Sequence, residues 1–120
     1  MTILTLIITI ALWNWLGGFL ATFITGAFVI SSLRRAEANP EDLEVTTTYF
    51  RWVAGAHLFN HAFTVLGTLL LCIGSISNGA PSWVAWGVFI SYFVFWRLGH
   101  IIDAAIHFVT ANSLPAASHM

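Results

Sequence analysis

The sequence predicts an all-α integral membrane protein, a bundle of three transmembrane helices. Three observations lead there. Of 120 residues, 58% are hydrophobic and 8% charged, where ordinary soluble domains carry about 25% charged residues. No charge falls from Met1 to Leu33, and none from Trp52 to Trp96. A run of turn formers, Gly74-Ser75-Ile76-Ser77-Asn78-Gly79-Ala80-Pro81-Ser82, divides the second of these stretches. A bilayer core takes about 20 mainly apolar residues per helix, so the first stretch holds one crossing and the second, split at the turn, holds two.

The first helix is expected over residues 3–32. A cleaved signal peptide has a basic start and a short apolar centre of about 7–15 residues; this N-terminus has neither, so it reads as a retained helix. Asn14, Gly18, Thr22 and Gly26 recur every four residues and share a face. Small residues let helices approach closely in lipid, and Asn14 can hydrogen-bond across the contact, either inside one subunit or between subunits. A polar loop is expected over residues 33–46. It carries Arg34 and Arg35, with Arg51 just beyond, and cytoplasmic loops are the ones enriched in such cations. That places the loop in the cytoplasm, the N-terminus and the 75–82 turn outside, and the tail 112–120 back on the cytoplasmic side. The second helix is expected over 47–76 and the third over 81–111, starting at or beside Ser82. Trp13, Trp15, Trp52, Trp83 and Trp86 fall near the expected ends, where indoles anchor at the membrane interface. Cys72 is the single cysteine; it excludes a disulfide framework and any multi-cysteine metal site, and in its apolar run it reads as packing.

The chain has no lysine and a formal net charge of -1, which excludes nucleic-acid binding through a basic face. The informative polar residues lie inside the apolar stretches. His57, Asn60 and His61 share one face of the second helix; Arg97, His100, Asp103 and His107 follow each other at steps of three and four on the third. Ionisable groups at membrane depth are costly and face a bundle interior or a wet cavity, so the two stripes are expected to meet. Three chemistries could use them. His57, His61, His100, Asp103 and His107 supply enough ligands for a metal or a haem iron. Arg97 could hold an anion. A ligand-free polar core that sets helix register needs nothing further.

The segment Leu33-Arg34-Arg35-Ala36-Glu37-Ala38-Asn39-Pro40-Glu41-Asp42, together with Arg97-Leu98-Gly99-His100, resembles the family of membrane-associated proteins in eicosanoid and glutathione metabolism (MAPEG), nearest its microsomal prostaglandin E synthase branch. The likeness covers residues 31–108 and includes the order of spans. It implies a homotrimer of helix bundles with glutathione bound between subunits at the cytoplasmic side, where a cation beside the thiol favours the thiolate. On matching positions, Arg97, His100, Asn60, Arg34 and Arg35 would contact glutathione, and Arg97 and Asp42 would be the catalytic candidates. Other positions depart from the family's pattern. Where it has Arg-Ala-His-x-Asn-x-x-Glu, this chain has Gly55-Ala56-His57-Leu58-Phe59-Asn60-His61-Ala62. Ala104 stands where the family has a tyrosine, and the residues after Thr110 are too few for its fourth helix and the arginine near that helix's start.

The resulting expectation is a small MAPEG-like membrane protein without catalysis. It would be a structural or accessory subunit in contact with membrane lipids and with other transmembrane chains or copies of itself, able to hold a lipid or another apolar ligand. The alternatives are a glutathione-dependent transferase, isomerase or peroxidase on lipophilic substrates, and a histidine-ligated metal or haem protein.

Overall fold

The computed structural model describes residues 2–113, so only Asn112 and Ser113 of the expected tail fall among them. Three helices make up the described residues: α1 (Ile3–Ala38), α2 (Leu43–Ser77) and α3 (Ser82–Ser113). Each is long and apolar enough to cross a membrane, at 36, 35 and 32 residues. At 1.5 Å per residue that is about 50 Å, well beyond a hydrocarbon core of about 30 Å.

The extra length lies at the loop end. α1 continues past Ser32 to Ala38, and α2 begins at Leu43, which shrinks the expected 33–46 loop to four residues, 39–42. Charge marks where the lipid core stops, but Arg34-Arg35-Ala36-Glu37-Ala38 is built of good helix formers, and nothing in it breaks the helix. Pro40 does, because the residue before a proline is pushed out of helical conformation: Asn39 sits at φ -130, ψ 63, with its amide hydrogen bonded to Arg35 O. Asp42 then starts the next helix, its Oδ1 accepting the Glu44 and Val45 N–H groups at 3.0 and 3.3 Å, as an N-cap should. At the other end Gly79 adopts φ +97, a left-handed conformation natural only to glycine. Its N–H bonds to Ile76 O and that of Ala80 to Ser75 O, which closes α2 before Pro81 leads into α3.

The helices run up, down and up, with α2 in the middle packed on both neighbours. The α1–α2 seam is floored by Thr64, Thr68, Cys72 and Ser75, all completely or almost completely buried. These are small side chains at steps of three and four, the kind that let lipid-embedded helices approach. Into the space they leave goes Trp13. A Cβ at Gly67 would overlap its indole, and its Nε1–H donates to Thr64 O at 2.9 Å. Trp13 is therefore a packing residue between helices, unlike Trp15 and Trp83, which are 71% and 78% exposed on the outer surface. The apolar core, Leu6, Ile10, Cys72, Ala85 and Tyr92, sits toward the turn end. Most large apolar side chains point outward instead, Phe23 and Phe95 at 81% and 88% exposure among them, as expected where the solvent is lipid.

The four-step row on α1 splits. Four residues turn an α-helix by about 400°, so such a row drifts some 40° per step. Asn14 is buried, Gly18 backs onto the Asn60 carboxamide, Thr22 is exposed, and Gly26 has no neighbour where its side chain would be.

Candidate functional site: a buried arginine cluster

Asn14, His61, Tyr92 and Arg97 come together at the centre of the bundle from all three helices, each no more than 8% exposed. What aligns the two residues from α3 is a break in its regularity. Residues Phe93–Arg97 form a π-helical turn, closed by the Leu98 N–H bonding to Phe93 O. In an ordinary α-helix, residues five apart differ by about 140° in direction. The i→i+5 turn brings them onto one side, so Arg97 Nε reaches Tyr92 Oη at 3.0 Å.

The guanidinium is held entirely by neutral groups. Asn14 Oδ1 accepts from Arg97 Nη2 at 2.6 Å, from Arg97 Nε at 3.2 Å and from the Tyr92 hydroxyl at 2.5 Å. The Asn14 amide in turn donates to Ile10 O and to Thr68 Oγ1, at 2.8 and 3.2 Å. Arg97 Nη1 lies 2.9 Å from His61 Nδ1. Guanidinium nitrogens only donate, so Nδ1 is the acceptor and His61 is the neutral imidazole with its proton on Nε2. The Trp96 ring flanks the cation, its centroid 5.1 Å from Arg97 Cζ. Among the described residues, no buried side-chain nitrogen or oxygen lacks a hydrogen-bond partner, and Arg97 faces no carboxylate within ion-pair distance.

The other residues singled out in the sequence are distributed differently. His100 stacks on His61 (centroids 5.4 Å apart, planes 5° from parallel), and His57 meets His61 edge-on at 4.7 Å. Yet His57 and His100 are exposed on the bundle's outer surface, as are Asp103 and His107. Asp103 does not pair with Arg97; its carboxylate lies 3.5 Å from His107 Nδ1. No three or more His, Cys, Asp or Glu among the described residues are placed to hold a metal ion, and the one buried imidazole uses Nδ1 on Arg97. Of the ligand set offered for metal or haem, His61 is buried and turned to Arg97, while His57, His100, Asp103 and His107 lie along the surface rather than around a point.

The glutathione set is also dispersed. Asn60 turns to α1, donating weakly to Gly18 O at 3.3 Å and to Thr22 Oγ1 at 3.4 Å. Arg34 and Arg35 are exposed near the end of α1. They stand 20 and 21 residues beyond Asn14, or about 30 Å along a helix. Asp42, engaged as the α2 cap, stands 19 residues before His61, about 28 Å along that helix. Arg34, Arg35 and Asp42 therefore cannot join Arg97 around one small peptide within a single chain.

Sequence reasoning missed Tyr92, Thr68 and Trp13. The Thr64, Thr68, Cys72 spacing was a readable sign of the α1–α2 seam. Tyr92 had no such sign, since its relation to Arg97 exists only through the π turn. No known protein family, curated protein or solved structure matches this chain significantly.

Flanking the cluster, an apolar groove of about 710 Å³ runs between α1 and α3, from Ile3 and Trp83 past Ile7 and Ile10 to Tyr92 and Trp96. It opens on the side that faces lipid and has the dimensions of a small apolar ligand site.

Proposed function

We propose that this chain is a non-catalytic, MAPEG-like integral membrane protein. It acts as a structural or accessory subunit that assembles with other transmembrane chains or with itself, its short 39–42 loop on the cytoplasmic side. Lipid, or another apolar ligand, occupies the groove between α1 and α3.

The observation that supports this reading is how Arg97 is used. An arginine that stabilises a thiolate must offer N–H donors to a sulfur in an accessible pocket. Here Nε, Nη1 and Nη2 all donate to internal neutral acceptors from the three helices. That arrangement ties the helices together in one register, and it supports a scaffold better than a catalyst.

Glutathione supplies the test. Calorimetric titration of the purified protein in mild detergent is expected to show no saturable heat with glutathione, and incubation with glutathione and an aromatic halide no conjugate above the uncatalysed rate. Saturable binding that disappears in Arg97→Lys, or turnover of the halide, would overturn the reading in favour of a glutathione-dependent transferase.

A further inference from the structure

We infer that the outer face formed by α2 and α3 is a self-association surface, on which two copies inserted in the same direction set Asp103 of one against His57 of the other at one depth. This rests on the reading of the chain as a subunit of a membrane assembly and names the surface through which it assembles.

The first ground is the position of the ionisable strip. His57, His100, Asp103 and His107 are exposed, the side chains of Asp103 and His107 at 65% and 66%. They do not lie at the end of the helices. Arg51 Nε bonds to Ala111 O at 3.2 Å, which sets the neighbouring Trp52 of α2 near the level of Ala111 of α3. Asp103 lies eight residues short of Ala111, about 12 Å nearer the middle of the bundle. Exposed Phe50, Val53, Ile106 and Val109 extend the apolar surface beyond it. A carboxylate and imidazoles in that band are costly against acyl chains and belong against protein or a wet cavity.

Complementarity identifies the occupant. The strip joins a groove of about 610 Å³ whose walls include Val53 and His57 from α2 and Asp103, Ile106 and His107 from α3. Because α2 and α3 are antiparallel, with Gly55 against Phe108 and His61 against His100, His57 and Asp103 lie at nearly the same level. A carboxylate only accepts, and an imidazole N–H donates. Two copies placed groove to groove in the same membrane orientation therefore offer each Asp103 a donor at its own depth. A different chain would have to bring both a donor for Asp103 and acceptors for the imidazoles at that one level. Ala54 and Ala111 line the same groove and leave room for Val53 and Ile106 of the facing copy, as small residues do in helix contacts within lipid.

Cysteine cross-linking reads this directly, since native Cys72 is completely buried and adds little background. Ile106→Cys is placed in the groove, and Phe23→Cys on the outside of α1 serves as the control. On oxidation in native membranes, Ile106→Cys is expected to give a covalent dimer and Phe23→Cys none. Adding Asp103→Asn should cut the Ile106→Cys dimer several-fold, and Asp103→Glu should restore most of it. No dimer from Ile106→Cys, equal yields at the two positions, or a yield unchanged by Asp103→Asn would overturn the proposal. A dimer from Phe23→Cys alone would overturn this face while leaving self-assembly in place. Glutathione turnover would overturn the functional reading without altering the cross-linking pattern.

Discussion

His61 and Arg97 lie within four residues of His57 and His100 on the same two helices, yet the two pairs have opposite fates. The inner pair is buried with Asn14 and Tyr92, and no fully buried side-chain nitrogen or oxygen among the described residues lacks a hydrogen-bond partner. The outer pair continues into Asp103 and His107 on the surface, where the Asp103 carboxylate lies 3.5 Å from His107 Nδ1. Side-chain chemistry does not separate them; geometry does. The π turn at Phe93–Arg97 adds a residue to one turn of α3, which rotates everything after it by about 100° relative to an uninterrupted helix. That brings Tyr92 and Arg97 together over Asn14 and directs the next three ionisable side chains outward. Polar groups in lipid hold a fold together when their partners lie in the same chain, and call for a neighbour when they do not.

The contrast is broken most severely at Asn14. Asn14→Leu removes the oxygen that receives both Nε and Nη2 of Arg97 and leaves a buried cation short of acceptors. The expected loss is about 3–5 kcal/mol, the range for removing one partner of a buried charge, read as the midpoint shift of helix loss during SDS titration from mixed micelles. Arg97→Met, which takes away the charge together with its donors, should cost less than Asn14→Leu. The reverse order would mean that Arg97 is not the group the cluster exists to neutralise.

Tyr92→Phe is the next step down. It deletes a hydroxyl that donates to Asn14 and accepts from Arg97 but leaves the ring and the π turn in place. Hydrogen bonds inside lipid-embedded bundles contribute less than their buried setting suggests, so the expected cost is about 1–2 kcal/mol in the same titration. A cost equal to that of Asn14→Leu would show that the hydroxyl, not the carboxamide, is the principal acceptor for the guanidinium.

How far the sequence revealed this follows from the type of signal. The spans were legible because charge is excluded from lipid over 20 or so residues, and the Gly79–Pro81 turn punctuates the long apolar stretch. The helix ends were not, because charge reports the edge of the bilayer whereas Pro40 and the Asp42 cap decide where α1 stops and α2 starts. Asn14 was legible as an interhelical bonding residue, and Arg97 as a buried polar centre. Their pairing was not, since it joins residues 83 apart in the chain, and the Tyr92 contact depends on a spacing foreign to the α-helical period. Arg34, Arg35, Asn60 and Asp42 were grouped with Arg97 by likeness of local motif. Such likeness is blind to the roughly 30 Å of helix between the arginine pair and the cluster.

The smallest effect is expected on the outer strip, and there its smallness is the informative result. His57 is exposed, its ring contact with His61 is edge-on, and no side chain loses a hydrogen bond when it is truncated. His57→Ala should therefore change the stability of the isolated bundle by no more than about 0.5 kcal/mol, the range for surface positions away from a built feature. The same substitution on His61 removes the acceptor of Arg97 Nη1 and should cost several times as much. Both are read from the same SDS titration at a protein-to-detergent ratio low enough to keep the chains apart. Equal losses at the two histidines would erase the distinction between an inner lock and an outer surface. A large loss at His57 alone would place the structural centre of the bundle on the strip, and Arg97 would lose its standing as the residue that joins the three helices.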